Sequence, residues 1–98
     1  MIVIQGEVRK VIVEPYKDKS GKEIPQAILI LEPSGERQNY EVYLNENQLR
    51  SGAAEAWNKL RGKVANIGVT LYVNYQYNFH RFNASGKGLP VEMGAANG

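Results

Sequence analysis

The stretch of residues 64–82, V-A-N-I-G-V-T-L-Y-V-N-Y-Q-Y-N-F-H-R-F, constrains the fold more than any other part of this chain. Its first half alternates, with apolar residues such as Ile67 and Val69 separated by polar or small ones. A period of two predicts a half-buried β-strand. Three continuations remain open: one long strand, a hairpin that turns at 74–78, or a long loop before a last strand at 89–93.

The second half of this stretch is rich in aromatic residues. Five of the nine aromatic side chains of the chain lie between residues 72 and 82, interleaved with amides and an arginine. Rings beside Arg and amide groups are typical of surfaces on which bases stack and phosphates meet cations. An aromatic core is the alternative, because Tyr and Phe are ordinary strand formers. The candidates are Tyr72, Tyr75, Tyr77, Phe79, Arg81 and Phe82.

Alternation predicts which of these rings face outward. In a regular strand Tyr75, Tyr77 and Phe79 share the core-facing side. Tyr72 and Phe82 are then left on the outer face. If the chain instead leaves the sheet after the alternating half, the three odd-numbered rings become loop residues that can grip bases.

Composition predicts one folded domain, residues 1–93, and a disordered tail at 94–98. A chain of 98 residues supplies a single modest core, and its apolar fraction of 43 % is that of a globular protein. The last residues, G-A-A-N-G, have nothing to bury. No signal peptide is expected, and no apolar run reaches the ~18–20 residues of a membrane span, so we expect a soluble, cytoplasmic protein.

No enzymatic chemistry is expected. The chain has no cysteine and one histidine, His80, which leaves no cysteine or His-pair metal site. No nucleophile or orienting carboxylate is spaced near His80, and the glycines around Lys87 lack P-loop spacing. We therefore predict no catalytic residue, no metal or other cofactor and no small-molecule substrate.

The rest of the chain predicts three further strands and a helix. Residues 2–13 form a strand whose apolar parity switches, with Gly6 permitting a bend and Arg9 and Lys10 at the switch. A basic hairpin loop, 14–24, follows; it carries Tyr16, Lys17, Lys19 and Lys22. Residues 27–31 and 38–44 pair as a hairpin, joined by a turn at Ser34-Gly35, and Tyr43 points outward.

Residues 45–62 carry the apolar stripe of one helix. Asn45 and Gln48 resemble a capping box, and Gly62 suits the C-terminal end. A break at Ser51-Gly52 remains open, in which case Ser51 caps a shorter helix over 53–61. Trp57 lies on the apolar stripe, so its side chain is expected to pack at the bottom of the barrel core rather than to bind bases.

The order strand, strand, strand, helix, strand, strand matches the five-stranded OB-fold, an all-β barrel with one helix. The run I-Q-G-E-V-R-K-V, the loop S-G-K and the strand A-I-L-I-L resemble the first hairpin of bacterial single-stranded DNA-binding proteins and primosomal OB proteins. The passage A-E-A-W-N-K-L-R-G-K-V with I-G-V-T-L is similar to their helix-to-strand region. The residues of this chain that carry the similarity are Ala54, Glu55, Leu60, Gly62, Lys63, Val64, Ile67 and Gly68. Two family features have no counterpart here: the DNA-contacting tryptophans and the acidic tail with a Pro-Pro-Phe tip.

The resemblance implies sequence-tolerant binding of single-stranded DNA, or of RNA, by a homodimer in replication or recombination. The groove is expected across the second and third strands, between the basic loop and residues 74–88. Residues 57–98 hold five basic side chains against one acidic, a bias that attracts polyanions. The alternative is a protein-interaction module whose aromatic residues form an oligomer interface. The expected cations are Arg81, Lys87, Lys63, Lys17, Lys19 and Lys22.

Overall fold

A computed structural model describes residues 2–33 and 38–91. Within these ranges the chain forms seven strands and two short helices. The turn expected at Ser34-Gly35 and the tail at 94–98 lie outside the described residues. The elements are β1 (Ile2–Val13), β2 (Tyr16–Lys17), β3 (Glu23–Ile24), β4 (Ala27–Glu32), β5 (Tyr40–Leu44), α1 (Glu46–Arg50), α2 (Ala53–Asn58), β6 (Val64–Asn74) and β7 (Phe79–Ala84).

Five of these strands form one sheet that closes into a ring in the order β1-β4-β5-β7-β6. All neighbours are antiparallel except β5 and β7, which are parallel. The small strands β2 and β3 form a separate hairpin within the expected basic loop. The prediction of a mostly-β chain built on five main strands is therefore confirmed.

Strand β1 pairs with two neighbouring strands. Its first part pairs with β6 and its second part with β4, and the register shifts between Val8 and Lys10. The extra residue, Arg9, lets Val8 and the later Val11 both pack toward the core, as the parity switch predicts. The bulge lies at Arg9, and Gly6 has another role. A Cβ at Gly6 would lie 3.0 Å from the backbone C and O atoms of Glu32, so the close approach of β1 to β4 at this point requires glycine.

The long aromatic stretch is a hairpin. Strand β6 ends at Asn74, residues 75–78 turn, and β7 returns antiparallel to β6. The Asn74 side chain accepts a 3.1 Å hydrogen bond from the backbone N–H of Tyr77, and Asn78 adopts a left-handed φ of 53°. Strand β7 is thus the fifth strand of the ring. Of the alternative strand at 89–93, the described part contributes one bridge, from Val91 to Asn66.

The helical segment divides into two helices, so the prediction of one helix is wrong. The break falls at Ser51-Gly52, because Gly52 has a φ of 91°, which an α-helix cannot accommodate. The capping box of Asn45 and Gln48 is present at the start of α1. Gly52, not Ser51, is the N-cap of α2, and it offers no side-chain hydrogen bond. The expected cap by Ser51 is therefore also wrong.

The core lies inside the ring, and α2 contributes Trp57 to it. Trp57 is fully buried together with residues such as Leu29 and Val42. Its indole N–H donates a 2.6 Å hydrogen bond to the carbonyl oxygen of Gly88. The prediction that Trp57 is a core residue is confirmed. No helix in the described parts of the chain is long and apolar enough to cross a membrane.

Candidate nucleic-acid interface

Three neighbouring strands bring an arginine and two tyrosines together on the outer face of the ring. On β5, Val42 and Leu44 point into the core, so Tyr43 between them faces outward. On the next strands, Arg81 of β7 lies opposite Tyr72 of β6 in the pairing register. The guanidinium carbon of Arg81 lies 4.7 Å from the centre of the Tyr43 ring and 5.9 Å from that of Tyr72. Both distances are within the range of cation–π attraction.

The aromatic row continues toward the hairpin turn. Phe79 lies opposite Asn74, on the outer face, and its ring centre is 5.8 Å from that of Tyr72. Beyond it, Tyr75 and Tyr77 in the turn expose 90 % and 70 % of their surface. An aromatic core, the alternative, would bury Tyr75 and Tyr77. These rings are therefore available for stacking, as expected for a chain that leaves the sheet near residue 74.

Two open clefts flank Arg81 and Tyr43. A cleft of about 370 Å³ lies toward the start of β5, and one of about 510 Å³ lies toward its end. Arg81 and Tyr43 line both clefts, so this pair lies between them, and the two clefts together are called the groove below. The first is also lined by Gln38, Asn39, Tyr40, Glu41, His80 and Phe82, and the second by Tyr16, Gln26, Asn45, Asn47, Thr70 and Asn83.

No carboxylate in the described part of the chain neutralises the charge of Arg81. Among residues 2–33 and 38–91 no carboxylate forms an ion pair with it, and its Nε atom is buried without a hydrogen-bond partner. The two rings hold the guanidinium in place without cancelling its charge. Glu41 and Glu46 also line the groove, so the groove is polar rather than uniformly basic.

The basic loop forms one end of the groove. Tyr16, at the start of β2, lines the larger cleft. The side chain of Asp18 organises the loop by accepting hydrogen bonds from the hydroxyl and N–H of Ser20, at 2.6 and 2.9 Å, and from the N–H of Lys22 at 3.0 Å. These donors, above all the Ser20 hydroxyl, lower the pKa of Asp18. Lys17, Lys19 and Lys22 are exposed on this loop and line neither cleft.

Phe82 and Lys87 differ in position from the other candidates. A regular strand predicts Phe82 on the outer face, but it packs against the core; it also lines the first cleft, and its ring centre is 6.0 Å from that of Tyr40. The reason is the turn at 75–78, which resets the alternation so that even-numbered residues of β7 face inward. Lys87 is exposed in the turn after β7, whose backbone is bound by the side chain of Gln48. It lines neither cleft.

The sequence pattern missed the polar lining of the groove. Thr70 and Asn83 lie opposite each other on the outer face, and the alternation of β6 could have identified Thr70. Asn45 and Asn47 reach the groove only because α1 begins directly after β5. Within the described residues no three His, Asp or Glu side chains lie close enough to hold a metal ion. The sequence matches no protein-family model and no curated protein.

Proposed function

We propose that this protein binds single-stranded DNA with little sequence preference, in the groove along β5 and β7. The observation that carries the proposal is Arg81, which lies against the rings of Tyr43 and Tyr72 and lines both clefts. A cation beside partly exposed aromatic rings can meet both halves of a nucleotide, its phosphate and its base.

Binding proceeds by stacking and charge neutralisation. Tyr43, Tyr72 and Phe79 offer ring faces to successive bases, each worth roughly 1–3 kcal/mol. Arg81 contacts a phosphate, and the lysines of the loop between β2 and β3 extend the basic path beyond Tyr16. Any base presents a π-face and any nucleotide a phosphate, so this chemistry tolerates every sequence. No catalytic step is part of the proposal.

The proposal is supported by features that this chain has in common with the OB-fold. The closed ring of five strands, the bulged β1 shared by two neighbours, and the helices between β5 and β6 agree with that architecture. OB-folds bind oligonucleotides on their strand faces and adjoining loops. In this chain those parts are the outer faces of β5 and β7, the β2–β3 loop and the β6–β7 hairpin.

The test is titration of a fluorescently labelled dT oligomer with the protein, followed by anisotropy at several salt concentrations. We expect binding that weakens with salt, with a log–log slope of about −0.7 for each phosphate contacted. Polyphosphate, which has the charge but no bases, serves as the matched competitor and should displace dT poorly. Absence of binding at low salt would overturn the proposal. Equal competition by polyphosphate would show a purely ionic surface and would contradict the stacking mechanism.

A further inference from the structure

The larger cleft has a floor built from three neighbouring strands. Asn83 of β7 lies opposite Thr70 of β6 in one pairing register and opposite Tyr43 of β5 in the other. All three residues line the larger cleft. Asn83 points outward because the residues on either side of it, Phe82 and Ala84, pack toward the core. The side chains of Tyr43, Asn83 and Thr70 therefore form one row across the outer face of the ring.

The charge in the larger cleft is small. Its charged lining residues are Arg81 and Glu46. The Glu46 carboxylate forms a 2.7 Å ion pair with Arg50, one turn later in α1, which reduces its repulsion of an anionic ligand. A single guanidinium, that of Arg81, is then left to meet a phosphate. The rest of the cleft suits the uncharged part of a nucleotide.

Several polar side chains of this cleft have unused hydrogen-bonding groups. Among the described residues, the carboxamides of Asn83 and Asn47 and the hydroxyl of Thr70 form no side-chain hydrogen bond. Asn45 uses its side-chain oxygen to accept from the N–H of Gln48, which leaves its NH₂ group available. A ligand that enters the cleft must replace the water on these groups with donors and acceptors of its own.

A nucleobase has the chemistry that this lining requires. Its face stacks on aromatic side chains, and its edge carries hydrogen-bond donors and acceptors. Tyr16 and Tyr43 supply the aromatic part of the cleft, and Asn83 and Thr70 supply polar groups beside Tyr43 on the neighbouring strands. A phosphate group would meet only Arg81 among these side chains as a charge partner, and an apolar group would leave the carboxamides without partners.

We propose that the larger cleft holds one base of the bound strand and hydrogen-bonds its edge through Asn83 and Thr70, while Arg81 meets an adjacent phosphate. This inference rests on the proposed function, because it assigns one part of the strand to one part of the groove. A carboxamide can turn over to exchange its donor and its acceptor, and a hydroxyl both donates and accepts. Edge contacts of this kind accommodate every base, so they agree with binding that has little sequence preference.

The test compares two oligomers that differ only in the edges of their bases. One is a dT oligomer, and the other carries difluorotoluene, an apolar isostere of thymine, at every position, so that the strand cannot slide past a single change. By anisotropy we expect the isostere oligomer to bind about five- to tenfold more weakly, the effect of roughly one net hydrogen bond. Equal or tighter binding of the isostere would overturn this inference and leave the proposed function standing. Absence of dT binding would overturn both.

Protein variants locate the contact. Asn83→Leu combined with Thr70→Val keeps side chains of similar size but removes the polar groups, so we expect this protein to bind the two oligomers about equally. Gln5→Leu, exposed on β1 and on neither cleft, is the matched control and should keep the wild-type preference for dT. In the wild-type protein, the side-chain NH₂ signals of Asn83 in NMR spectra should shift with dT and much less with the isostere. A retained preference in the double variant, or unshifted Asn83 signals, would place the base edge elsewhere and overturn this site.

Discussion

The indole Nε1 of Trp57 and the carbonyl oxygen of Gly88 are joined by a buried hydrogen bond of 2.6 Å. This bond connects α2 to the segment that follows β7, so it holds the helical part of the chain against the end of the ring. Gly88 has a φ of 72°, and its Cα approaches Gln48 so closely that a Cβ there would lie 3.1 Å from the side chain.

Trp57→Phe should lower the free energy of unfolding by about 1–3 kcal/mol, because the Gly88 carbonyl is left buried without a donor. The measurement is urea unfolding followed by circular dichroism. Tyr16→Phe, on a ring that is 48 % exposed, is the control and should change stability little. Equal stability of Trp57→Phe and the wild-type protein would show that the hydrogen bond contributes nothing.

Tryptophan emission should be insensitive to single-stranded DNA. Trp57 is the only tryptophan and is fully buried, away from the groove, whereas Tyr43 and Tyr72 lie on it. Titration with dT oligomers should therefore quench tyrosine fluorescence and leave selectively excited tryptophan fluorescence unchanged. Strong tryptophan quenching would place the binding surface near α2 instead.

Arg81→Ala should weaken dT binding about tenfold or more and reduce the magnitude of the salt slope by about 0.7, the contribution of one phosphate. Arg81→Lys keeps the charge but loses the planar group that lies against two rings, so we expect an unchanged slope and a smaller loss. Both are measured by anisotropy. Lys59→Ala, at the end of α2 and on neither cleft, should bind like the wild-type protein. Equal losses for Arg81→Ala and Lys59→Ala would remove Arg81 from the site.

Gly6→Ala should destabilise the ring by about 1–3 kcal/mol, because the added methyl group meets the backbone of Glu32, which cannot move independently. Thermal unfolding measures the change. Gly21→Asn is the matched control: no atom lies within 4 Å of a Cβ at that position, and Asn tolerates its φ of 86°. A Gly6→Ala protein as stable as Gly21→Asn would contradict the close approach of β1 and β4.

Acid should loosen the loop between β2 and β3. The pKa of Asp18 is lowered from its ordinary value of 3.8, chiefly by the Ser20 hydroxyl and next by the Lys22 N–H. The ionised carboxylate therefore orders the loop fully above pH 3.8, and the order is lost as pH falls through the lower folded-state pKa. Amide NMR signals of Ser20 and Lys22 should shift with a midpoint below 3.8. A midpoint above that value would contradict these hydrogen bonds.

Local patterns predicted the parts of the fold that depend on neighbouring residues. The strand over residues 64–74, the parity switch in β1 and the capping box at Asn45 all rest on short-range physical rules, and the structure confirms each. Leu71 and Val73, on the face of β6 that alternation predicts to be buried, are nevertheless 46 % and 40 % exposed. The sequence leaves the helix break open because it does not reveal whether Gly52 adopts a positive φ. The structure shows that it does.

The arrangement of the site depends on contacts that no local pattern contains. Tyr43 and Arg81 were both candidates, but their contact requires β7 to lie parallel to β5. A regular strand would place Phe82 on the outer face, but the position of the hairpin turn decides its parity, and the sequence leaves that turn open. Residue types therefore predict the chemistry that we propose, whereas the long-range pairing determines which side chains meet.

The pairing of β5 with β7 has a consequence for folding. It contains two residue pairs, Val42 with Phe82 and Tyr43 with Asn83, which join positions some forty residues apart. Hairpins with short connections form early because their loop-closure entropy is small, so we expect this parallel pairing, like the pairing of β1 with β6 over about sixty residues, to form after the hairpins. Tyr43 and Arg81 lie on the two sides of the β5–β7 pairing. A partly folded chain can therefore contain every strand and still lack the groove, and a ligand that bridges β5 and β7 would hold the ring shut.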